Sequence, residues 1–459
     1  MRVIRLQLKK REIQVELQTV SLIPEKEDVL YSRATKYLGQ ITDKTELARK
    51  FIDTIPLYYD EAQNFWVWDL KKYHWVKLDE LDVLSWINDV AVCNVINSKE
   101  RGEILQALKL EGRRNKPAEL SKNTVQFEKE LLDIMTGDRT QATPKTFAVH
   151  PLPYKLGSYC DTPTIDALFS SWVKAEDVPK LYEIIAFCMI PDYFVERIIC
   201  LHGSGSNGKS VYRTLVRKVI GETNCCSTSL ERLQSSRFEV GRLYKKLVCE
   251  MGETNLTKFE GTELIKRLVS GKDLVTGENK NKPSWDFLNY AKLLISTNTL
   301  PPTDDKTDGF YRKWLIIDFP NRFEGEVDIL ATIPEQEFQN LCMKCIDIAY
   351  NLMKKKGFTN EGTIDQRRER YEERSNPFDK FWKLFVDDSN QNADIPVWEF
   401  DKRLNEWLKE NKLRTLSDVS ISKYLKNKGI LQVRIWKDWQ KDGFPVKKQL
   451  RCWGGVAWQ

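Results

Sequence analysis

One eight-residue stretch, Gly203-Ser204-Gly205-Ser206-Asn207-Gly208-Lys209-Ser210, constrains the fold of this chain more than any other. It fits the phosphate-binding pattern G-x-x-x-x-G-K-[ST]. Residues 197–202 before it read as a short buried strand. Residues 211–220 after it read as a helix, with Val211, Leu215 and Val219 on one face and Gly221 as a stop. Glycines let the backbone N–H groups of residues 203–211 close around phosphate oxygens, and the helix N-terminus adds positive potential. Lys209 is expected to reach the β- and γ-phosphates of ATP, and Ser210 to hold Mg²⁺. Such an octapeptide also arises by chance; the flanking strand and helix argue against that here.

At 459 residues the chain has room for two to four domains, and 41% apolar residues is ample for their cores. Residues 1–16 alternate apolar with Lys, Arg and Gln, unlike a secretory signal. The longest plain apolar run, residues 184–190, is far short of the ~20 residues that span a bilayer. The ten cysteines are scattered, as expected of reduced thiols. A soluble intracellular protein with no membrane partner is expected. The net charge of +6 is uneven: residues 411–459 carry 11 Lys/Arg against 3 Asp/Glu. A basic end on a near-neutral body suggests a polyanion partner, with nucleic acid first.

Four regions are expected. Residues 1–50 begin strand-like and have no assignable role. Residues 51–165 read as a mainly helical domain with an aromatic hairpin (Phe65-Trp66-Val67-Trp68 and Tyr73-His74-Trp75-Val76) and helical segments at 79–111 and 122–135. Residues 144–164 read as a connecting loop. Residues 166–375 alternate helices with short apolar strands, the pattern of an α/β nucleotide-binding domain. Its last helix, at 366–374, is charge-dense and reads as a solvated face. Asn376-Pro377 marks a boundary, and residues 376–459 form a last small domain.

ATP hydrolysis needs an acid near the metal and the attacking water, a polar γ-phosphate sensor and often an arginine from a neighbour. Residues 247–253 form a short apolar strand ending in acids; Glu253 is the first candidate for metal or water and Glu250 the second. Asn298 ends a second apolar strand and suits the sensor position; a turn before Pro301-Pro302 is the plainer alternative. Arg312 and Lys313 precede a third strand, where an arginine can reach a neighbouring subunit's ATP; a surface cation is the plainer alternative.

These stretches, with residues 265–273 and the weaker Tyr371…Asn376-Pro377-Phe378, resemble the superfamily 3 helicases, the phage and plasmid replicative helicases often fused to primases. The resemblance is strong over about 180–380 and plausible over 55–165. It implies an AAA+ fold, a homo-hexameric ring, ATP with Mg²⁺, and translocation on single-stranded or forked DNA. It places Lys209 and Ser210 in the P-loop, Glu253 as the Walker B acid holding Mg²⁺ through water, Asn298 as sensor and Arg312 as arginine finger. The family usually pairs arginines where this chain has Arg312-Lys313, and adjacent acids where Gly252 precedes Glu253. Residues 276–285 read as a hairpin turn. In the family the matching hairpin touches DNA in the ring channel, which makes Lys280 and Lys282 the candidates.

In residues 376–459, a helix at 397–411 and a second capped by Ser417 precede two strand-like runs, an order that looks like a winged helix. Lys423, Arg434 and Lys447 head its candidate DNA contacts, with Lys426, Lys428, Lys437, Lys441, Lys448, Arg451, Trp436 and Trp439; solvating lysines and core tryptophans are the alternative. Cys342 and Cys345 have zinc-like spacing but no second pair, and read as buried thiols on a helix. His74, His150 and His202 form no evident catalytic set, and no D-x-D triplet marks a primase centre. Any primase or polymerase is expected on another chain or segment. The expected function is an ATP-dependent DNA helicase of viral or plasmid replication; an ATP-switched initiator without processive unwinding is the alternative, and a packaging or small-molecule P-loop enzyme a weaker third.

Overall fold

The computed structural model describes residues 43–90, 98–252, 259–280, 282–324, 328–410, 415–441 and 444–459. Most of residues 1–50, and Glu253, lie outside these segments. So does the side chain of Lys447.

The N-terminal part begins with helix α1 (Lys44–Thr54), whose first turn is capped by the Asp43 carboxylate. Strands β1 (Leu57–Tyr59), β2 (Phe65–Asp69) and β3 (His74–Leu78) form an antiparallel sheet, so the expected aromatic hairpin is present. Helices α2 (Glu80–Val90) and α3 (Ser98–Arg114) follow. Strands β4 (Thr124–Phe127), β5 (Glu130–Asp133), β6 (Arg139–Gln141) and β7 (Pro151–Leu152) make a second sheet. The helix expected over 122–135 is therefore a β-hairpin, and the region expected to be mainly helical is mixed α/β. Val125 and Phe127 face Leu132 and Glu130 across the pair, and Glu128 turns the chain at φ +47°. Short alternation beat the helical count because apolar groups leave on both faces: Val125, Phe127 and Leu132 enter the main core, while Leu131 joins the aromatic cluster of Phe147, Trp66 and Trp75.

Pro163 belongs to the first turn of helix α4 (Pro163–Trp172) rather than to a loop. Helix α5 (Val178–Cys188) leads into strand β8 (Ile198–His202), which is followed by helix α6 (Lys209–Ile220). Then come β9 (Cys225–Thr228), the short α7 (Leu230–Ser235), β10 (Val248–Met251), α8 (Thr262–Leu268), the hairpin β11 (Leu274–Gly277) and β12 (Trp285–Leu288), β13 (Lys292–Thr297), α9 (Asp308–Tyr311) and β14 (Trp314–Asp318). Strands β14-β8-β13-β10-β9 lie in that order in one all-parallel sheet. Their near-continuous apolar runs suit parallel strands covered on both faces. Helices α10 (Glu335–Lys355) and α11 (Ile364–Ser375) close the unit. Cys342 and Cys345 are buried in α10.

Register decides where the site falls. His202 pairs with Asp318 on one side and with Thr297 on the other. The carboxyl ends of β8, β13 and β14 thus share one edge, where open α/β sheets bind ligands. Trp314 pairs with Ile198, so Arg312 and Lys313 sit at the opposite edge, one strand length or ~13 Å away.

The last domain runs α12 (Pro377–Phe385), the short β15 (Val386–Asp387), β16 (Asp394–Pro396), α13 (Val397–Glu410), α14 (Asp418–Asn427), β17 (Gln432–Lys441), β18 (Phe444–Gly454) and β19 (Ala457–Trp458). Strands β16-β18-β17 form a sheet beside a core that includes Phe378, Phe381, Phe400, Leu404 and Leu425. Ser417 caps α14 by accepting from the Ser420 N–H.

One core residue breaks the apolar rule. Lys292, at the start of β13, is fully buried; its ammonium donates to the Ile190 carbonyl and lies 4.9 Å from the Phe187 ring centre. Burial pushes its pKa down to about 7 from 10.5. Between those values the unfolded chain holds the proton more tightly than the folded one, so stability rises with pH and falls as pH is lowered towards 7. From pH 7 to 8.5, unfolding free energy is expected to increase by roughly 1–2 kcal/mol from this group alone. Above about pH 9 the buried Cys188 thiol and the half-buried Cys225 thiol, both pushed up to about 12 by desolvation, oppose it. Urea titrations across that window check this; Lys292→Met should flatten the slope.

Candidate functional site

The loop after β8 is built so that glycine is required at two places. A Cβ on Gly203 would lie 2.0 Å from Asn207 Nδ2 and 2.7 Å from the Phe319 carbonyl. Gly208 has φ +88°, and a Cβ there would meet the Trp172 ring at 2.7 Å. Three bonds pin the loop to neighbouring strand ends: Gly203 N–H to Thr297 O (3.3 Å), Asn207 Nδ2 to Phe319 O (2.7 Å) and Phe323 N–H to Ser206 O (2.7 Å).

Lys209 begins α6 and points back over the loop. Its ammonium donates to Gly203 O at 2.6 Å, Asn207 Oδ1 at 2.8 Å and Asn298 Oδ1 at 3.2 Å. Asn298, placed just beyond β13, thus meets Lys209 through the sheet, 89 residues apart in sequence. Ser210 is exposed in the first turn of α6, beside Val211. Ser204, Gly205 and Ser206 form the outer rim of the loop, with Gly205 and Ser206 at φ +98° and +53°. A cavity of about 1100 Å³ opens in front of the loop, reaching from Gly203, Ser204 and Asn298 past Arg374 to Lys380 and Trp407.

Behind this cavity lies a cluster that sequence reasoning missed. His202 Nδ1 donates to Asp318 Oδ1 at 2.9 Å, and Arg374 grips both Asp318 oxygens, its Nε at 2.8 Å. Burial alone would raise the Asp318 carboxyl, but the hydrogen bonds from His202 and Arg374 outweigh it and hold it well below the usual range. Burial pulls the His202 imidazole below its ordinary value, so at pH 7 it is a neutral donor. Arg374 belongs to α11, read from sequence as a solvated face. Instead Tyr371 and Arg367 are buried, the Tyr371 hydroxyl donates to Pro301 O at 2.8 Å, and the Leu300 N–H donates to Arg374 O at 2.9 Å. Only Tyr371, the one aromatic amid the charges, signalled a buried side.

The two acids of the β10 region separate. Glu250 is buried, clamped by Arg217 (Nε to Oε1, 2.9 Å) with Arg213 at 3.5 Å, both on α6. Its carboxylate serves the packing of α6 on the sheet. Glu253 lies outside the described residues. At the opposite edge, Lys313 is buried and pairs with Glu196 at 2.8 Å, whereas Arg312 is half exposed, 3.5 Å from the same carboxylate. Of the two, Arg312 is the more exposed, at the edge opposite the Gly203–Ser210 loop.

Lys280 and Lys282 lie on the β11–β12 turn, both exposed, with Lys282 Nζ donating to Gln63 O at 3.1 Å. Neither lines the cavity beside Gly203 and Ser204. Lys423 and Arg434 are exposed on α14 and β17. Lys428 is committed elsewhere, pairing with Asp379 at 2.7 Å and lying 5.3 Å from the Trp382 ring centre. Trp453 is core, while Trp436 is 64% exposed. Arg434 and Arg451 are directly opposed across β17 and β18, next to the Trp436–Gln449 pair.

Residues 201–313 match a family model described as a family of unknown function, DUF5906. An uncharacterised mitochondrial protein, ymf21 of Marchantia polymorpha, is 26% identical over 133 residues, covering 26% of this chain and 73% of that protein. Among solved structures the chain is similar to the apo C-terminal region of NrS-1: 12% identity, 90% of this chain and 100% of that one covered, TM-score 0.44. A further NrS-1 C-terminal structure scores 0.43. No helix among the described residues is long and apolar enough to cross a membrane.

Proposed function

We propose that this chain is an ATP hydrolase of the AAA+ class that drives a DNA helicase in viral or plasmid replication. The observation that carries the proposal is the Lys209–Asn298 contact: a P-loop cation and a strand-end amide meet at the carboxyl edge of the β14-β8-β13-β10-β9 sheet. Lys209 would leave the Gly203, Asn207 and Asn298 oxygens for the β- and γ-phosphates, and Asn298 would then face the γ-phosphate or the attacking water. The exposed Ser210 hydroxyl fits a Mg²⁺ ion that takes its remaining oxygens from phosphate and water, with Glu253 as the acid reached through water. That ion would neutralise charge developing on the transferred phosphoryl group.

Arg312 supports action between copies. It lies a strand length from its own P-loop and is exposed, so a guanidinium there would serve ATP held by the next subunit. A homo-hexameric ring on single-stranded or forked DNA meets that requirement. The test combines ATP turnover, strand displacement and mass photometry with ATP and single-stranded DNA; a chain that stays monomeric and unwinds nothing overturns the motor.

The β11–β12 turn would supply sequence-independent phosphate contacts through Lys280 and Lys282. Each Lys→Ala change is expected to lower the slope of log K against log salt for single-stranded DNA by about 0.7. Binding measured by anisotropy at four salt concentrations checks this; unchanged slopes move the DNA path elsewhere.

The ATP-switched initiator reading is favoured by one feature. Setting aside the short paired β15 and β19, the last domain runs helix–strand–helix–helix–strand–strand, the order of a winged helix, and the opposed Arg434 and Arg451 near the exposed Trp436 suit a polyanion. Like charges directly opposed in a sheet destabilise it unless something neutralises them. Tight origin-specific binding without unwinding would favour that reading; any primase or polymerase would then act from another chain or segment.

A further inference from the structure

Nine of the ten cysteines lie in the described residues, all as free thiols, and two of them meet across the central sheet. Parallel register sets Cys226 on β9 directly opposite Cys249 on β10. Neighbouring strands lie ~4.8 Å apart, inside the ~4.4–6.8 Å Cα spacing that a disulfide accepts. The two thiols are close enough to share a hydrogen bond.

Alternation along the strand separates this pair from the other thiol of β9. Cys225 pairs with Val248, so it lies on the face that Glu250 shares with α6. Desolvation pushes Cys225 up to about 12, so it stays a thiol.

The two facing sulfurs differ in access. Strand β9 is the edge of the β14-β8-β13-β10-β9 sheet, and Cys226 is half-buried on it. Cys249 lies one strand inward and is fully buried. An oxidant arriving from solvent therefore meets Cys226 first, and Cys249 is reached through it.

The surroundings favour the same order. The Cys249 thiol donates to Cys226, and the Lys246 ammonium and Arg242 guanidinium add positive charge, which together hold the Cys226 thiol below its ordinary pKa against the cost of burial. Glu239 opposes them, but its carboxylate accepts from the Thr228 hydroxyl and pairs with Arg242 at 3.4 Å. The shared bond and burial push the Cys249 thiol well up. Thiolate is the attacking form in thiol oxidation, and redox-responsive cysteines commonly sit beside a resolving partner.

We infer that Cys226 and Cys249 form a hydroperoxide-responsive modification site, in which Cys226 is oxidised first and Cys249 resolves it to a disulfide joining β9 to β10. The Cys226 thiolate attacks one oxygen of the hydroperoxide. The O–O bond breaks, the other oxygen leaves with the proton that the thiol gave up, and Cys226 becomes a sulfenic acid. The Cys249 sulfur then attacks the Cys226 sulfur; the S–O bond breaks, and the departing hydroxide takes the Cys249 proton as water. Two thiols lose two electrons and two protons, and one hydroperoxide is reduced. The bridge ties the edge strand to β10, the strand whose Glu250 clamps α6.

The test is oxidation of the folded full chain with hydrogen peroxide, alkylation of the remaining thiols, and peptide mapping by mass spectrometry. The expected result is loss of the Cys226 and Cys249 thiols together, a cross-linked peptide pair that holds both, and recovery of both thiols with dithiothreitol. Cys226→Ser should slow oxidation of Cys249 at least about tenfold, and Cys249→Ser should leave Cys226 as a sulfenic acid captured by a 1,3-dione. Melting curves establish that the variants are folded; Cys249→Ala replaces Cys249→Ser if the buried hydroxyl unfolds it, and the wild-type map stands without either. Cys225→Ser should leave the bridge unchanged. A bridge from Cys226 to Cys225, or Cys226 oxidised no faster than the exposed Cys160, overturns the proposal. The readout needs no nucleotide, so a chain without ATPase activity would sink the P-loop reading and leave this measurement intact.

Discussion

Lys209→Ala is expected to lower ATP turnover by about 100- to 1,000-fold, the usual loss when one donor to the developing charge is removed. The fold should survive. The ammonium's acceptors include Gly203 O, Asn207 Oδ1 and Asn298 Oδ1, and Gly203 and Asn298 line a cavity from which water can replace it. The loop keeps its anchors through Asn207 Nδ2 to Phe319 O and Gly203 N–H to Thr297 O. A melting curve close to wild type beside absent phosphate release is the expected pair of results. Full turnover in the variant would remove the octapeptide from the chemistry.

Glu250 gives the second large effect, of the opposite kind. Glu250→Ala strands Arg217 and Arg213 on α6 beside a buried hole. Breaking a buried pair costs ~3–5 kcal/mol; Arg217 is 38% exposed and can regain water, so roughly 2–3 kcal/mol is expected. Turnover per folded molecule should stay within about threefold of wild type, since the carboxylate is committed to α6. Denaturant unfolding and active-site titration separate the two quantities. A hundredfold loss of turnover with unchanged stability would instead place Glu250 on the metal or the water.

Local pattern was enough for elements whose environment is uniform. Strand β8 is a run of apolar residues, α6 has a clear buried face, and the cap at Ser417 and the break at Asn376-Pro377 are short-range chemistry. It failed where partners are distant. Residues 124–133 carry enough spaced apolar groups to look helical, and only their place between the main core and the aromatic cluster at Phe147 selects the hairpin. The charge-dense α11 looked solvated because nothing nearby in sequence says that Arg374 grips Asp318, 56 residues away. Nothing in the sequence marks Lys292 as buried; the burial of every residue of β13 decides it.

The octapeptide itself pointed to a glycine-rich loop between a strand and a helix, because the left-handed backbone at Gly205 and Gly208 is local, although the crowding that bars a side chain at Gly203 and Gly208 also comes from Phe319 and Trp172. Which residues join Lys209 was decided by the sheet. Parallel register brings Asn298 and Asp318 to the same edge as Gly203 and sends Arg312 to the other, since hydrogen bonding between strands, not spacing along the chain, sets what is adjacent.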